Sequence, residues 1–346
     1  VRSRALDPRD AALAGEIVFG CLRRRAQLDF LIEANARRPA ARLDTEVRTA
    51  LRIGAYQIRH QDRVPRHAAV SESVELVNRA RKSSAAGFVN AVLRRIPPGP
   101  VGWPDRATAL SIPGWLLQRW DRHYGEAAAA AAAAAALEKP ELYVRLPPGS
   151  PPPPGLSFEQ TEVAGCIRVT GGDPAGLRIQ DIGSQSIVPL LELRPELRLL
   201  DLCAAPGNKT AQALESGARV IACDRHWKRL RALDGLACGR VVLDGARPLP
   251  FQTRFDRVLV DAPCSGTGTL GRNLDDLHAL QVSLLRSALA VLAPGGRLVY
   301  STCSLEPEEN EEVVAEVLGR PPARLFRRLP GRDRGDGFFA AVIPSD

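Results

Sequence analysis

Methionine is missing from all 346 residues, and position 1 is Val, as expected of an alternative start or a trimmed chain; the absence itself carries no functional reading. Long apolar runs are also lacking. The alanine run at 127–136 is too short for a membrane span and is followed closely by Glu138 and Lys139, so no membrane association is expected. The first seven residues hold no apolar core of the kind a secretory signal needs, and a cytoplasmic location is expected. Cysteine is present seven times, an odd number, at 21, 166, 203, 223, 238, 264 and 303. These positions lack the paired close spacings of a zinc site or a disulfide scaffold, so reduced thiols and no metal are expected. GxxxxGK[ST] does not occur, which argues against a P-loop, and the loop at 201–210 is not GxGxxG, which argues against a dinucleotide fingerprint there.

What is present is ordinary globular material, 45% hydrophobic and 25% charged, long enough for two or three domains. The formal net charge of +8 is unevenly spread. Residues 1–100 hold 19 Lys and Arg against 10 Asp and Glu, a balance of +9, and the remaining 246 residues are near neutral at −1. Clusters at Arg23-Arg24-Arg25, Arg37-Arg38, Arg79 with Arg81 and Lys82, and Arg94-Arg95 could meet phosphates and release counterions, although a solvated basic face would look the same.

The first hundred residues read as an all-α bundle. Apolar residues recur at helical spacing in Ala11, Ala14, Ile17, Val18, Cys21 and Leu22, and again in Val47, Leu51, Ala55, Tyr56 and Ile58, with further helices expected over 69–81 and 85–95. Pro97-Pro98-Gly99-Pro100 ends this region. Helical character resumes around Trp115 to Trp120 and in the alanine run. A strand is expected at 142–146, and a proline-rich extended loop at 147–154. From about 176 strands and helices alternate, the form of a parallel sheet. Strands are expected at 197–200, 219–223, 240–243, 257–260 and 297–300, helices at 277–292 and 308–318, and two closing strands at 324–329 and 338–343. The expected division is therefore 1–100 for a helical domain, 101–175 for a linker and small α/β subdomain, and 176–346 for a doubly wound α/β domain closing on an antiparallel hairpin.

Chemistry-bearing residues concentrate in that last part. After the first strand of the alternation comes Asp201-Leu202-Cys203-Ala204-Ala205-Pro206-Gly207-Asn208-Lys209-Thr210. Its small residues let a ligand approach the backbone, and free amides at the helix start favour an anion, which points to an adenosine-bearing cofactor other than a dinucleotide. Asp224, Asp244 and Asp261 close three successive strands. Any single Asp there is usually a turn or cap residue. Together they suit ribose hydroxyls at Asp224 and an adenine amino group at Asp244. Cys264 and Cys303 each follow a strand, at the sheet edge where such folds place their chemistry, and two thiols there suggest covalent catalysis. No hydrolase triad is apparent.

The stretches Asp201 to Thr210, Asp261 to Gly268, Thr302-Cys303-Ser304 with Pro307-Glu308-Glu309-Asn310, and Asp336-Gly337-Phe338-Phe339 resemble the NOL1/NOP2/Sun family of S-adenosylmethionine-dependent RNA cytosine-C5 methyltransferases. Gln180-Asp181 with Ser184-Gln185 does so too. Ala69 to Leu76 and Phe88 to Arg95 are similar to a NusB-like RNA-binding domain, which points to the bacterial ribosomal branch of RsmB (Sun/Fmu) type. The resemblance implies a Rossmann-like class I methyltransferase domain acting on small-subunit ribosomal RNA, with S-adenosylmethionine held by Cys203, Ala204, Ala205, Pro206, Gly207, Asn208, Lys209, Asp224, Asp244 and Asp261. It implies Cys303 as the nucleophile that adds at cytosine C6, Cys264 as the thiol that assists loss of the C5 proton and release, Asp261 on the base edge, and Lys209 lowering a thiol pKa. Spacing alone does not choose between the two thiols. The chain departs from the family at Asn208, where a second Gly is usual and where a tolerance for left-handed backbone would let the loop survive, and at Leu274, where Pro is common. Arg272 and Asp275 are kept and would line the RNA channel, and the region 110–175 is shorter than the family's connecting subdomain. A monomer is expected. Two other readings stay open: a non-catalytic assembly factor that retains the fold, and the same chemistry on transfer RNA.

Overall fold

The computed structural model describes residues 7–266 and 274–345. The chain divides into two compact units, Val1–Lys139 and Pro140–Asp346. The first is helical. Its bundle comprises α1 (Pro8–Arg23), α2 (Arg25–Ala36), α3 (Thr45–His60), α4 (Arg66–Arg79) and α5 (Ala86–Arg95). Asp7 starts α1 by accepting the backbone N–H of Arg9 at 2.8 Å, as a side-chain cap should. In α3 the apolar positions Val47, Leu51 and Ala55 fall four apart and are all buried, facing Leu28, Ile32, Val77, Val89 and Leu93. Close approach is built in at Gly54, where an added Cβ would come within 2.5 Å of the Ser73 hydroxyl and 2.6 Å of Leu93. The last carbonyls of α5 find a donor in the Arg66 guanidinium, which bonds Leu93, Arg94 and Ile96 at 3.2, 2.8 and 2.6 Å.

Three more helices belong to this unit: α6 (Arg106–Ala109), α7 (Gly114–Tyr124) and α8 (Glu126–Ala135). Gly125, at φ 81°, separates α7 from α8. Only one side of the alanine helix is covered, through Ala129, Ala132 and Ala133. Gln27 Nε2 donates to the Ala109 carbonyl at 2.6 Å and ties α6 to α2. The region 101–175 thus contributes helices to the first unit and strands to the second.

The second unit begins with a four-stranded antiparallel sheet of β1 (Leu142–Arg145), β2 (Ser157–Gln160), β3 (Cys166–Gly171) and β4 (Arg178–Ile179), in the order β2-β3-β1-β4. Only β1 was expected. The others are short and largely unburied, so they carry no run of alternating apolar residues for the sequence to display. Then follow α9 (Ile182–Gln185), β5 (Arg198–Asp201), α10 (Asn208–Leu214), β6 (Arg219–Asp224), α11 (Trp227–Leu230), β7 (Gly239–Val242), β8 (Phe255–Asp261), α12 (Leu274–Ala290), β9 (Leu292–Thr302), α13 (Glu311–Leu318), β10 (Arg324–Arg328) and β11 (Phe338–Pro344).

The second sheet runs β10-β11-β9-β8-β5-β6-β7, parallel from β5 to β9 and antiparallel where β11 and β10 close it. This is the doubly wound arrangement with a closing hairpin that the alternation predicts. Chain order reverses on either side of β5, and the crevice beyond the carboxyl ends of β5 and β8 is where such sheets bind ligands. Two boundaries differ from expectation. The helix expected to reach 292 stops at Ala290, and β9 starts at Leu292 rather than 297, because Gly295 at φ 68° and Gly296, where a Cβ would meet the Ala293 carbonyl at 2.6 Å, let the strand bend. The helix expected from 308 is broken at Asn310, whose φ −115° and ψ −99° are not helical.

Candidate active site at the carboxyl edge of the second sheet

Both expected thiols emerge at one edge. Cys264 lies three residues past the end of β8 and Cys303 directly follows β9, and the two sulfurs are 3.1 Å apart. Cys303 is exposed and Cys264 half-buried. The hydrogen bond between the two thiols lowers the Cys303 pKa, with burial and the Asp261 carboxylate opposing it and the Lys209 cation adding to it. The same hydrogen bond, then burial, raises that of Cys264. Of the two thiols Cys303 is therefore the more acidic.

Beside the thiols stands a charged pair. Lys209 Nζ lies 2.7 Å from Asp261 Oδ2, and the Ser301 hydroxyl donates to Asp261 Oδ1 at 2.8 Å. The strand register makes this contact, because Asp261 and Ser301 are partners across β8 and β9. Lys209 is itself largely buried, with its ammonium 5.3 Å above the Phe338 ring. Phe338 is held by the meeting of two stretches far apart in sequence. Asp181 accepts the N–H of Gly183 at 2.7 Å and of Asp336 at 3.1 Å, and a Cβ on Gly183 would strike Phe338 at 2.4 Å.

The turn that carries Cys303 is shaped by buried polar side chains. Thr302 donates its hydroxyl to Asn310 Oδ1 and accepts the N–H of Ser304 at 3.2 Å, and Asn310 Nδ2 donates to the Ser304 carbonyl at 2.9 Å. The turn that carries Cys264 is held by Glu309 and Gln281. Ser265 donates its N–H and hydroxyl to Glu309 at 2.8 and 2.5 Å, and Gln281 Nε2 donates to the Pro263 carbonyl at 2.9 Å and to Glu309 at 3.1 Å.

The loop after β5 folds over its own strand end. Ala204 donates to the Cys223 carbonyl and Gly207 to the Ala204 carbonyl, both at 2.8 Å. Gly207, at φ 101°, is the left-handed residue that turns the chain into α10, and a Cβ there would lie 2.6 Å from Leu233. Asn208 is the first residue of that helix, so no left-handed tolerance is required of it, contrary to expectation. Its amide instead accepts from Arg178 at 3.1 Å and donates to the Ile179 carbonyl at 3.3 Å, which ties α10 to the small sheet. Beneath the loop, Asp201 accepts the Thr210 hydroxyl at 2.6 Å, and burial pushes its carboxyl up to about 7. Its other oxygen is buried and has no partner among the described residues.

Asp224 ends β6 and accepts the His226 N–H at 2.8 Å, with Arg229 at 3.5 Å; Arg229 also donates to the Ala205 carbonyl at 2.8 Å. Asp244 lies two residues beyond β7 and accepts the Ala246 N–H at 3.2 Å, with Arg247 at 3.6 Å. Both carry the turn bonds usual for an Asp after a strand. The structure brings Cys264, Cys303, Lys209 and Asp261 together, sets Asp224 against the loop through Arg229, and shows no bond from Asp244 to any of these. Cys203 is half-buried in the loop, and burial raises its thiol, as it does those of Cys223, to about 12, and Cys166, to about 11. Thr267, Gly268 and Arg272 lie outside the described residues, as do the side chains of Leu274 and Asp275. Among the described residues no group of His, Cys, Asp and Glu is arranged to hold a metal, and no helix is long and apolar enough to cross a membrane.

The 16S rRNA methyltransferase RsmB/F family matches residues 188–328, and the NusB family matches residues 1–97. A ribosomal RNA small subunit methyltransferase B of Citrobacter koseri is 31% identical over 97% of this chain and 91% of its own length. The chain belongs to the RsmB/F family of 16S rRNA methyltransferases. A probable ribosomal RNA small subunit methyltransferase B of Synechocystis is 30% identical over 92% of this chain and 83% of its own. Among solved structures, a methyltransferase homologue from Pyrococcus horikoshii matches with a TM-score of 0.61 at 28% identity, covering 70% of this chain and 98% of that one.

Several residues of this RsmB/F site have no role that the sequence alone suggests. Ser301, Gln281, Glu309 and Asn310 support the thiols or Asp261, and Gln180, Gln185 and Gln212 form a buried amide chain under α9 and α10. Glu309 and Asn310 belong to the motif at 307–310. A run of two Glu and an Asn reads as a solvated helix start, and only burial shows otherwise.

Proposed function

We propose that this chain transfers a methyl group from S-adenosylmethionine to C5 of a cytosine in small-subunit ribosomal RNA, by way of a covalent bond between Cys303 and C6 of the base. The observation that carries this reading is the 3.1 Å approach of Cys264 and Cys303 beside the Lys209–Asp261 pair, at the edge of a methyltransferase sheet.

The residues suit the cofactor. The loop 203–207 is built of small residues, Asp201 keeps beneath it a buried oxygen with no partner among the described residues, and Asp224 and Asp244 follow successive strands. Cys203, Ala204, Ala205, Pro206, Gly207, Asn208, Lys209, Asp224, Asp244 and Asp261 would hold it. When bound, S-adenosylmethionine supplies the electrophilic methyl group. C5 of cytosine is a poor nucleophile until a thiolate adds at C6, and the bond from Cys303 Sγ moves the ring electrons toward C5 and the base edge. Asp261, held by Lys209 and Ser301, bonds that edge and stabilises the adduct. After methylation Cys264 assists removal of the C5 proton; the electron pair of that bond restores the C5–C6 double bond and Cys303 leaves as thiolate. Lys209 helps to lower the Cys303 pKa. The basic helical unit binds RNA through phosphate contacts, and the target base must leave its stack to reach the thiols. Within this division of labour, residues 1–100 bind RNA, 101–175 connect and 176–346 catalyse.

Transfer of labelled methyl to unmodified small-subunit ribosomal RNA tests the proposal. Cys303→Ala should abolish transfer, and Cys264→Ala should accumulate a protein–RNA adduct on a denaturing gel. Reversed phenotypes would exchange the two roles, and binding of RNA and cofactor without transfer by the unaltered chain would favour an assembly factor.

A further inference from the structure

We infer that Glu309 is a positioning residue for the release step: it holds the loop of Cys264 so that this thiol faces Cys303. The inference rests on the thiol roles proposed above. Glu309 is 0% exposed, a place where a carboxylate persists only with partners. The side-chain bonds described for it go to Ser265, by backbone and hydroxyl, and to Gln281, which also grips the Pro263 carbonyl. Cys264 is therefore fixed through both of its sequence neighbours. The other end of Glu309 is referenced to the second thiol: its backbone carbonyl accepts the Tyr300 hydroxyl at 2.6 Å, and Tyr300 lies in β9, three residues before Cys303.

One buried group thus locates both cysteines. Its carboxylate bonds the loop and α12 rather than the sheet, whose core is apolar at Val258, Val260 and Leu298. Two oxygens meet three converging donors, and the one donor at Oε2, the Ser265 hydroxyl, can turn to accept from an amide in its place. Removing it frees the Cys264 loop while leaving the strand that bears Cys303 intact. A thiol misplaced by ~1 Å loses on the order of 100-fold in rate, so release should slow while addition and methyl transfer persist.

The full chain is compared as wild type, Glu309→Ala, Ser265→Ala and Cys264→Ala. For each, the methyl transferred in the first turnover, the steady-state rate and the fraction of RNA trapped in a denaturation-stable adduct are measured. Glu309→Ala should keep a first-turnover burst, lose roughly 10- to 100-fold in steady-state rate, and accumulate adduct toward the level of Cys264→Ala. Ser265→Ala, which removes one of the three bonds, should do the same more weakly. If Glu309→Ala does not fold, Ser265→Ala and Glu309→Gln carry the test, with partial adduct expected in the first and recovery of release in the second. Equal loss of burst and steady-state rate without adduct, in variants that fold and with adduct still present in Cys264→Ala, would overturn the inference and leave Glu309 a structural residue. Absence of adduct in Cys264→Ala itself would instead overturn the thiol assignment on which the inference stands.

Discussion

At the scale of single residues, the site is a problem of where protons reside. The hydrogen bond with Cys264 and the Lys209 cation hold the Cys303 thiol pKa down against burial and the Asp261 carboxylate. Alkylation of Cys303 by iodoacetamide should therefore rise with pH through a lower midpoint than alkylation of Cys264. Cys264→Ala should move the midpoint upward, because the donor that stabilises the anion is gone. Asp201 presents the opposite case. Its folded carboxyl is raised by burial to about 7, above an unfolded value of about 3.9. The folded state then binds a proton that the unfolded state has lost, so the contribution to stability is full below about pH 4 and fades as pH rises to 7. Urea unfolding at pH 5 and pH 7 should show this decline in wild type, and Asp201→Asn, which keeps an acceptor for Thr210, should flatten it. The two thiols and Lys209 were legible as residues because their motifs are specific. The supports at Ser301, Gln281 and Glu309 were not, since Ser, Gln and Glu are common surface residues and acquire meaning only from burial and register.

At the scale of elements, the turn into α10 is the most constrained segment. Gly207 combines φ 101° with a neighbour 2.6 Å from any added Cβ. Gly207→Ala should destabilise by about 1–3 kcal/mol and weaken S-adenosylmethionine binding, as thermal melting and a cofactor titration would show. One position later the demand is reversed. Asn208 joins α10 to β4 through Arg178 and Ile179, so Asn208→Gly, although it restores the residue usual in the family, should lower stability by about 1 kcal/mol. Local sequence patterns made α1, α3 to α5 and β5 to β9 readable, but not α2. The strands β2 to β4 were not readable because they are two to six residues long and mostly unburied, so pairing rather than pattern defines them.

At the scale of the whole molecule, charge and chemistry are divided between the units. The excess of +9 lies in residues 1–100, and the thiols, the Lys209–Asp261 pair and the loop 203–207 all lie in the second unit. Arg37, Arg94 and Arg95 are exposed. Their joint replacement by Gln in the full chain should weaken RNA binding and reduce the slope of log affinity against log salt by about one for each phosphate no longer neutralised. Cofactor affinity should not change. Filter binding across a salt series and a cofactor titration would check the two halves of this expectation. The sequence by itself determined the helical character of the first unit, the strand–helix alternation of the second and the motifs that carry the candidate site residues, because hydrophobic period, glycine and proline punctuation and motif composition are local properties of a chain. Only the tertiary structure decided which thiol has its pKa lowered, which buried residue bonds both the Cys264 loop and β9, and why Asn208 is accommodated. Those answers depend on contacts between residues 29 to 52 positions apart, where parallel strand register and burial, rather than neighbours in sequence, set distance and charge.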